Sequence, residues 1–195
     1  MKITKYKLHG NDELIRVMKN TTLRGDSDIK PYANARITIQ TAHKNDIVPT
    51  QRFVLQEQLD TIANLSQAFR KKGVDILRNN GFITYLLGQN RFTFTPPIVE
   101  VINGEPLLID GMHRIIHAGN RPFSAIFIEG VPAEFLPYQI GLEHGWGEVV
   151  TFKSEVPRGF PRKERRYPRD VQRYFFREYP FPGMIKIIRE HSMIR

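Results

Sequence analysis

The clearest indication of the fold is the stretch Leu107-Leu108-Ile109-Asp110-Gly111-Met112-His113-Arg114-Ile115-Ile116-His117-Ala118-Gly119. It opens with a short apolar run, breaks at Asp110-Gly111, and continues with apolar residues at helical spacing. This pattern predicts a strand, a tight turn and a helix. The helix therefore begins beside a carboxylate, an imidazole and a guanidinium, which belong to Asp110, His113 and Arg114.

The start of this helix is a predicted phosphate site. Gly111 has no side chain that would block a ligand from the backbone, and the first N–H groups of a helix point out of the turn. His113 and Arg114 would add donors to phosphate oxygens, and Asp110 would hold the magnesium that accompanies a nucleotide. The alternative interpretation has no ligand: Asp110 caps the helix and Arg114 pairs with it on the surface.

The composition limits the class of protein. A chain of 195 residues is long enough for one globular core with a sizeable extension. It contains no cysteine, which excludes disulfides, thiolate catalysis and cysteine metal sites. No run of about 18 apolar residues exists, and the N-terminus lacks the apolar core of a signal peptide. We therefore expect a cytoplasmic protein that has no membrane partner.

The positive charge is concentrated in the last quarter of the chain. The formal net charge is +9, and residues 151–195 hold 12 Lys/Arg against 5 Asp/Glu, a net of +7. Basic side chains interleaved with aromatics suit a nucleic-acid backbone and unstacked bases. The alternative is a solvated face whose aromatic side chains belong to the core.

The arginines of this basic region form a predicted stripe. Pro168 is expected to start a helix whose arginines recur at four-residue steps. The candidates for contact with nucleic acid or an acidic substrate are Arg162, Lys163, Arg165, Arg166, Arg169, Arg173 and Arg177.

Alternation and helical spacing predict the remaining elements. They comprise helices at 12–19 and 55–73, strands at 36–40 and 123–128, and a hairpin of 98–102 and 105–109 around Asn103-Gly104. Gly73 is expected to end the second helix in the left-handed conformation. Residues 74–95 look like an inserted helical turn or hairpin, which would cover the nucleotide site or make a dimer contact.

Residues 109–114, called the box from here on, resemble the Asp-Gly-x-His-Arg segment of the ParB/sulfiredoxin-like superfamily. The approach to the second helix, Pro49-Thr50-Gln51, resembles that superfamily's other conserved turn. The resemblance covers about residues 36–130 and implies an α/β fold, a small mixed sheet with packed helices. An N-terminal extension (1–35) and a basic, aromatic C-terminal extension (131–195) would flank this core, which holds the insertion at 74–95.

The resemblance also implies the chemistry of the site. The superfamily binds nucleotide phosphates at the box, so ATP or another nucleoside triphosphate is expected at Gly111, Met112, His113 and Arg114 with Thr50, and magnesium at Asp110. Asp110, His113 and Gln51 are the implied catalytic residues. In the free serine kinases a glutamate follows Pro-Thr as the general base, whereas Gln51 is an amide, which cannot take a proton at neutral pH. The lack of cysteine also excludes the sulfiredoxin reaction.

Three functions follow, from different classes. The first is a phosphotransfer enzyme or ATPase that uses a nucleoside triphosphate and magnesium, with a small hydroxyl compound or water as acceptor. The second is a nucleic-acid-binding module or nuclease with a nucleotide switch. The third is a non-catalytic binding or inhibitory protein. We favour the first because the box is intact, while Gln51 favours the other two over a serine kinase. An oligomer is compatible with each.

Overall fold

The computed structural model describes residues 1–163 and 165–181. Its strands are β1 (Ile3–His9), β2 (Thr22–Leu23), β3 (Arg36–Ala42), β4 (Phe53–Leu55), β5 (Phe82–Leu87), β6 (Asn90–Phe94), β7 (Ile98–Ile102), β8 (Glu105–Asp110), β9 (Phe123–Glu129), β10 (Val150–Phe152) and β11 (Arg177–Glu178). Its helices are α1 (Asn11–Met18), α2 (Gln56–Arg70), α3 (Met112–Ala118) and α4 (Arg169–Gln172). Short 3-10 helices lie at Lys44–Asp46, Ile76–Arg78, Ala133–Phe135, Gly145–Glu148 and Arg173–Phe175.

The central sheet has the strand order β3-β9-β7-β8. Strands β7 and β9 are parallel, whereas β3 pairs with β9 and β8 with β7 in the antiparallel sense. In the interior strand β9, Ala125, Ile126 and Ile128 are fully buried, because apolar clusters cover both faces. The predicted small mixed sheet with packed helices is confirmed.

Helices cover the central sheet on both sides. On one face, Met112, Ile115 and Ala118 of α3 pack with Val99 and Leu108 of the sheet. On the other face lies a cluster that contains residues of α1, β3, β7 and β9 together with Tyr32 and Phe82. Burial of these two apolar layers holds the start of α3 at the end of β8.

A second sheet, ordered β1-β5-β6, packs on α2. Phe69 of α2 makes edge contacts with Tyr6 and Tyr85, with ring centroids 5.6 Å apart in both pairs. Strands β5 and β6 form a hairpin within residues 74–95, and a 3-10 helix precedes them. The prediction of a helical turn or hairpin is correct, since both are present.

Two local predictions are confirmed in detail. Asn103 and Gly104 have φ of 53° and 83°, the two positive values that a type I′ hairpin requires. Gly73 has φ of 76° and follows the last turn of α2, as expected for a left-handed residue that ends a helix. The predicted helix at 12–19 and the strands on both sides of the box are also present.

The region after residue 130 is joined to the rest of the fold by strand pairing. Strand β10 pairs with β4 in parallel, and β11 pairs with β2 in antiparallel. The long helix predicted after Pro168 is wrong, because α4 ends at Gln172. A 3-10 turn and β11 follow, so Arg177 lies on a strand and not on the helix face of Arg169.

Candidate functional site: the box and its supports

The turn of the box needs glycine for its backbone. Gly111 has φ of 110°, which residues with a side chain rarely adopt. A Cβ at this position would also lie 2.7 Å from the Cα of Pro97. The sequence explained Gly111 by the approach of a ligand, whereas the structure explains it by the close approach of the backbone at the start of β7.

The first turn of α3 offers backbone donors. Its first intrahelical bond runs from Ile115 N–H to the Gly111 carbonyl at 3.1 Å. The N–H groups of Met112, His113 and Arg114 therefore have no acceptor within the helix. The helix is seven residues long, so these N–H groups supply most of what its N-terminus offers to an anion.

Arg114 pairs with Asp110, one turn of chain away. Its Nη2 donates to the Asp110 carboxylate, and its Nη1 donates to the carbonyl and hydroxyl of Thr95 and to the carbonyl of Pro96. The side chain of Arg114 is 12% exposed and that of Asp110 is 39% exposed. The Asp110–Arg114 pair of the alternative interpretation is therefore present, with Arg114 mostly buried, and it ties α3 to the segment between β6 and β7. The capping part of that interpretation is wrong, because the N-cap of α3 is Gly111 and no side chain of the described residues caps the helix.

His113 supports the start of α2. Its Nε2 accepts a hydrogen bond of 3.1 Å from Leu55 N–H, which is the N-cap position of that helix. Burial lowers the pKa of His113 to about 4, and the nearby Arg114 acts in the same direction, while Asp110 opposes it. The ring is therefore neutral at pH 7, with the proton on Nδ1, and its Nε2 lone pair is already in use.

The predicted residues of the Pro49-Thr50-Gln51 turn make structural contacts. The Thr50 hydroxyl is buried and donates a hydrogen bond of 2.6 Å to the Leu108 carbonyl. The Gln51 amide donates a hydrogen bond of 2.6 Å to the carbonyl of Phe53, two residues further on, and so stabilises the turn. The turn thus lies beside β8, and the assignment of Thr50 to a phosphate and Gln51 to catalysis stays a prediction.

The C-terminal region also lies at this turn, which the sequence did not reveal. Buried Gln139 donates to the Leu108 and Ile109 carbonyls at 3.4 and 3.3 Å, and it accepts from Lys163 Nζ at 3.0 Å. Arg52 N–H donates 2.9 Å to the Arg162 carbonyl. The basic segment therefore begins next to the strand that carries the box.

The predicted arginine stripe must be corrected at Arg177. Its guanidinium is 2% exposed and binds the Glu100 carboxylate, 0% exposed, at 2.7 and 3.0 Å. The Tyr32 hydroxyl also donates 2.6 Å to Glu100. Arg177 is the counter-ion of a buried carboxylate, so it is not a surface contact for nucleic acid.

The other members of the stripe have mixed outcomes. Arg165 is exposed, and Arg166 is exposed with its Nε directed at the Pro137 carbonyl at 3.3 Å. The side chains of Arg169 and Arg173 lie outside the described part of the structure. A nucleic-acid contact by the exposed arginines stays a prediction.

Asp110 is the carboxylate of the box that could hold magnesium. Within residues 1–163 and 165–181, no three His, Cys, Asp or Glu side chains group as a cation site. Magnesium in nucleotide sites usually takes one or two carboxylates, with phosphate oxygens and water completing the shell. The half-exposed Asp110 could be the one protein ligand of a magnesium ion that a nucleotide also binds, but it could not hold a metal ion without the nucleotide.

The strand, glycine turn and short helix of the box, set on a small mixed sheet, define a ParB-like domain. The model of the ParB CE domain family matches residues 13–150, which is well over half of the chain. The chain therefore belongs to the ParB CE domain family. The match extends past the predicted core of 36–130 on both sides and leaves β1 outside. Comparisons with curated proteins and with solved structures found no match.

In the part of the chain that the structure describes, no helix is long and apolar enough to cross a bilayer.

Proposed function

We propose that the chain binds a nucleoside triphosphate with magnesium at the box. The observation that carries this proposal is the Asp110–Arg114 pair at the start of α3. A carboxylate that suits magnesium and a guanidinium that suits phosphate are here each other's partner. Arg114 can exchange Asp110 for a phosphate oxygen while Asp110 takes the cation, so both charges stay compensated in the free and bound states.

The backbone supports the same assignment. The N–H groups of Met112, His113 and Arg114 lack helical acceptors, and such groups bind phosphate in many proteins. Neutral His113 adds at most the Nδ1–H donor, because its Nε2 accepts from Leu55. The residues of the box therefore fit a magnesium triphosphate, with one guanidinium and several N–H groups for the phosphate oxygens and one carboxylate for the magnesium ion.

This geometry supports binding more strongly than turnover. Gln51 is an amide that donates a hydrogen bond to the Phe53 carbonyl. His113 is a weak base, and the lone pair on its Nε2 already accepts a hydrogen bond from Leu55 N–H. Neither can take a proton from an attacking hydroxyl at neutral pH. A nucleotide-binding module is thus the first candidate.

Phosphoryl transfer from the bound nucleotide to a small hydroxyl compound or water is the second candidate. The exposure of Asp110 favours it, because a carboxylate that solvent reaches can hold magnesium beside the transferred group. Such reactions depend mostly on positioning and charge stabilisation, so the missing base weakens this candidate without removing it.

Calorimetry with ATP, CTP and GTP, with and without magnesium, tests the proposal. We expect Arg114→Ala to weaken binding by at least about tenfold, since a charge-assisted pair contributes more than about 1.4 kcal/mol. Arg121→Ala is the matched control, because Arg121 donates to the Ala118 and His117 carbonyls at the other end of α3. Thermal melts of both variants verify folding, since Arg114 also binds Thr95 and Pro96.

Asp110→Asn separates the two candidates. The amide keeps the shape of the side chain and loses the charge that holds the cation, so we expect magnesium to stop improving the affinity. Phosphate release by the unaltered chain, lost in this variant, would establish turnover. If none of the three nucleotides binds the unaltered chain, or if Arg114→Ala binds as tightly, the proposal is wrong.

A further inference from the structure

A second concentration of positive charge lies far from the C-terminal region in the sequence. Residues 1–9 and 70–95 together contain eight Lys/Arg and one Asp, a net of +7. Acidic residues elsewhere offset this charge, so residues 1–150 carry only +2 overall. The two ranges form β1 and the β5–β6 hairpin, which share one sheet, and the end of α2, which packs on that sheet.

The register of this sheet places cations on one face. Lys5 lies opposite Leu86, which lies opposite Arg91 on the far strand. Lys7 is two residues along β1 and therefore points to the same side, about 7 Å from Lys5. Lys5, Lys7 and Arg91 are all exposed, and the first and last are about 10 Å apart across three strands.

Lys72 lies near the edge strand β1 but on the other side of the sheet. Its Nζ is 5.8 Å from the centre of the Tyr6 ring, and Tyr6 points toward Phe69 of α2, away from the side of Lys5 and Lys7. The exposed residues Lys5, Lys7 and Arg91 are called the lysine face below.

Among the described residues, no carboxylate forms an ion pair with the cations of the lysine face, unlike Arg24 and Arg36, which pair with Glu178 and Glu129. Exposed lysines elsewhere in the described part of the chain, such as Lys19 and Lys30, also form no ion pair, so the placement of several such cations on one sheet face is what distinguishes this surface. Glu13 is within electrostatic reach of Lys7, but His9 Nδ1 already binds its carboxylate at 2.9 Å.

We propose that the lysine face binds the phosphodiester backbone of nucleic acid, without sequence preference. Unpaired cations spread along and across strands match a linear polyanion. A membrane surface fits less well, because basic membrane sites present apolar side chains beside the cations. Leu8, the large exposed apolar residue of β1, points to the opposite face of the sheet from Lys7, and Leu86, which lies between Lys5 and Arg91, is partly buried.

Edge protection is the competing explanation of these residues. Strands β1 and β6 are both edges, and charged side chains on edges prevent pairing with other chains. A charge of either sign serves that purpose, whereas a cation attracts phosphate and a carboxylate repels it. Reversal of the sign therefore separates the two explanations.

The experiment is fluorescence anisotropy of the whole chain with labelled duplex DNA, single-stranded DNA and RNA, at several salt concentrations. We expect Lys5→Glu/Lys7→Glu to weaken binding at least about tenfold at 50 mM salt and to reduce the slope of log affinity against log salt by about two. Arg91→Glu, on the other edge strand, should act in the same direction with about half the change in slope.

Two matched variants exclude other causes. Lys19→Glu/Lys30→Glu changes the net charge equally at exposed positions outside the face and should bind as the unaltered chain does. Arg165→Glu/Arg166→Glu tests the C-terminal arginines as the competing site. Light scattering of all variants reports aggregation, and melting curves report folding.

Each outcome either supports or overturns the proposal that the lysine face binds nucleic acid. Selective loss in Lys5→Glu/Lys7→Glu and in Arg91→Glu supports the proposal. Equal affinity in those variants, loss confined to Arg165→Glu/Arg166→Glu, or an unaltered chain that binds vesicles with one-third phosphatidylserine but no nucleic acid would each overturn it.

Discussion

Replacing Arg177 with methionine tests how the C-terminal region is held to the central sheet. Arg177 and Glu100 form two bonds with both side chains almost fully buried. Methionine keeps an apolar stem of similar length and removes the charge. Glu100 would then retain the bond from the Tyr32 hydroxyl, which is too little for a carboxylate without solvent.

The expected loss is about 3–5 kcal/mol of the free energy of unfolding, the usual result of removing one member of a buried ion pair. The carbonyls of Phe135 and Phe175, which Arg177 binds at 2.6 and 3.3 Å, lose a donor as well. Arg36→Met is the matched control. The Arg36 side chain is 69% exposed beside Glu129, so its loss should cost about 0–1 kcal/mol.

Urea unfolding followed by the fluorescence of Trp146 measures both values. Trp146 is the single tryptophan, and its indole N–H donates hydrogen bonds of 2.8 Å to the carbonyls of Lys44 and Ile47. The double variant Glu100→Gln/Arg177→Met should recover about 1–3 kcal/mol, because the amide removes the unpaired charge. If Arg177→Met costs no more than Arg36→Met, the buried pair does not stabilise the fold as argued.

Two further predictions concern the box. Gly111→Ala should lower the free energy of unfolding by at least about 2 kcal/mol, because the φ of residue 111 is positive and the new Cβ would clash with Pro97. Gly147→Ala is the control, since there is open space around Gly147, and urea unfolding measures both variants. An equal effect of the two substitutions would contradict the strain at Gly111. Burial lowers the pKa of His113 to about 4 in the folded chain, below its ordinary 6.5, so the unfolded chain takes up the proton first as the pH falls. His113 thus contributes stability above pH 6.5 that is lost between pH 6.5 and 4, about 3 kcal/mol in all, and His113→Gln should flatten this pH dependence; parallel profiles would show that His113 does not cause it.

Local sequence signals decide much of the fold. Asn103-Gly104 specifies its hairpin because few other residues tolerate two consecutive positive φ angles. Asp110-Gly111 followed by apolar residues at helical spacing specifies the strand, turn and helix of the box for a similar reason. Such signals act within a few residues, so a single sequence contains all the information that they need.

The contacts of the site depend on distant parts of the chain, and sequence spacing does not contain them. Arg114 finds its acceptors at Thr95 and Pro96, and His113 finds the N–H of Leu55, only after the sheet has formed. One signal was available and not used. Glu100 stands alone in an otherwise apolar strand, and a charged residue in such a place requires a buried partner.

The parallel pairing of β10 with β4 has a consequence for how the molecule forms. Val150–Phe152 lies about one hundred residues after its partner Phe53–Leu55, so the pairing of these two strands brings together segments that are far apart in the sequence. During synthesis, β4 stays unpaired until β10 has been made, when most of the protein has left the ribosome. We therefore expect folding to be slow at this step, with the β4 edge open to wrong partners in the interval.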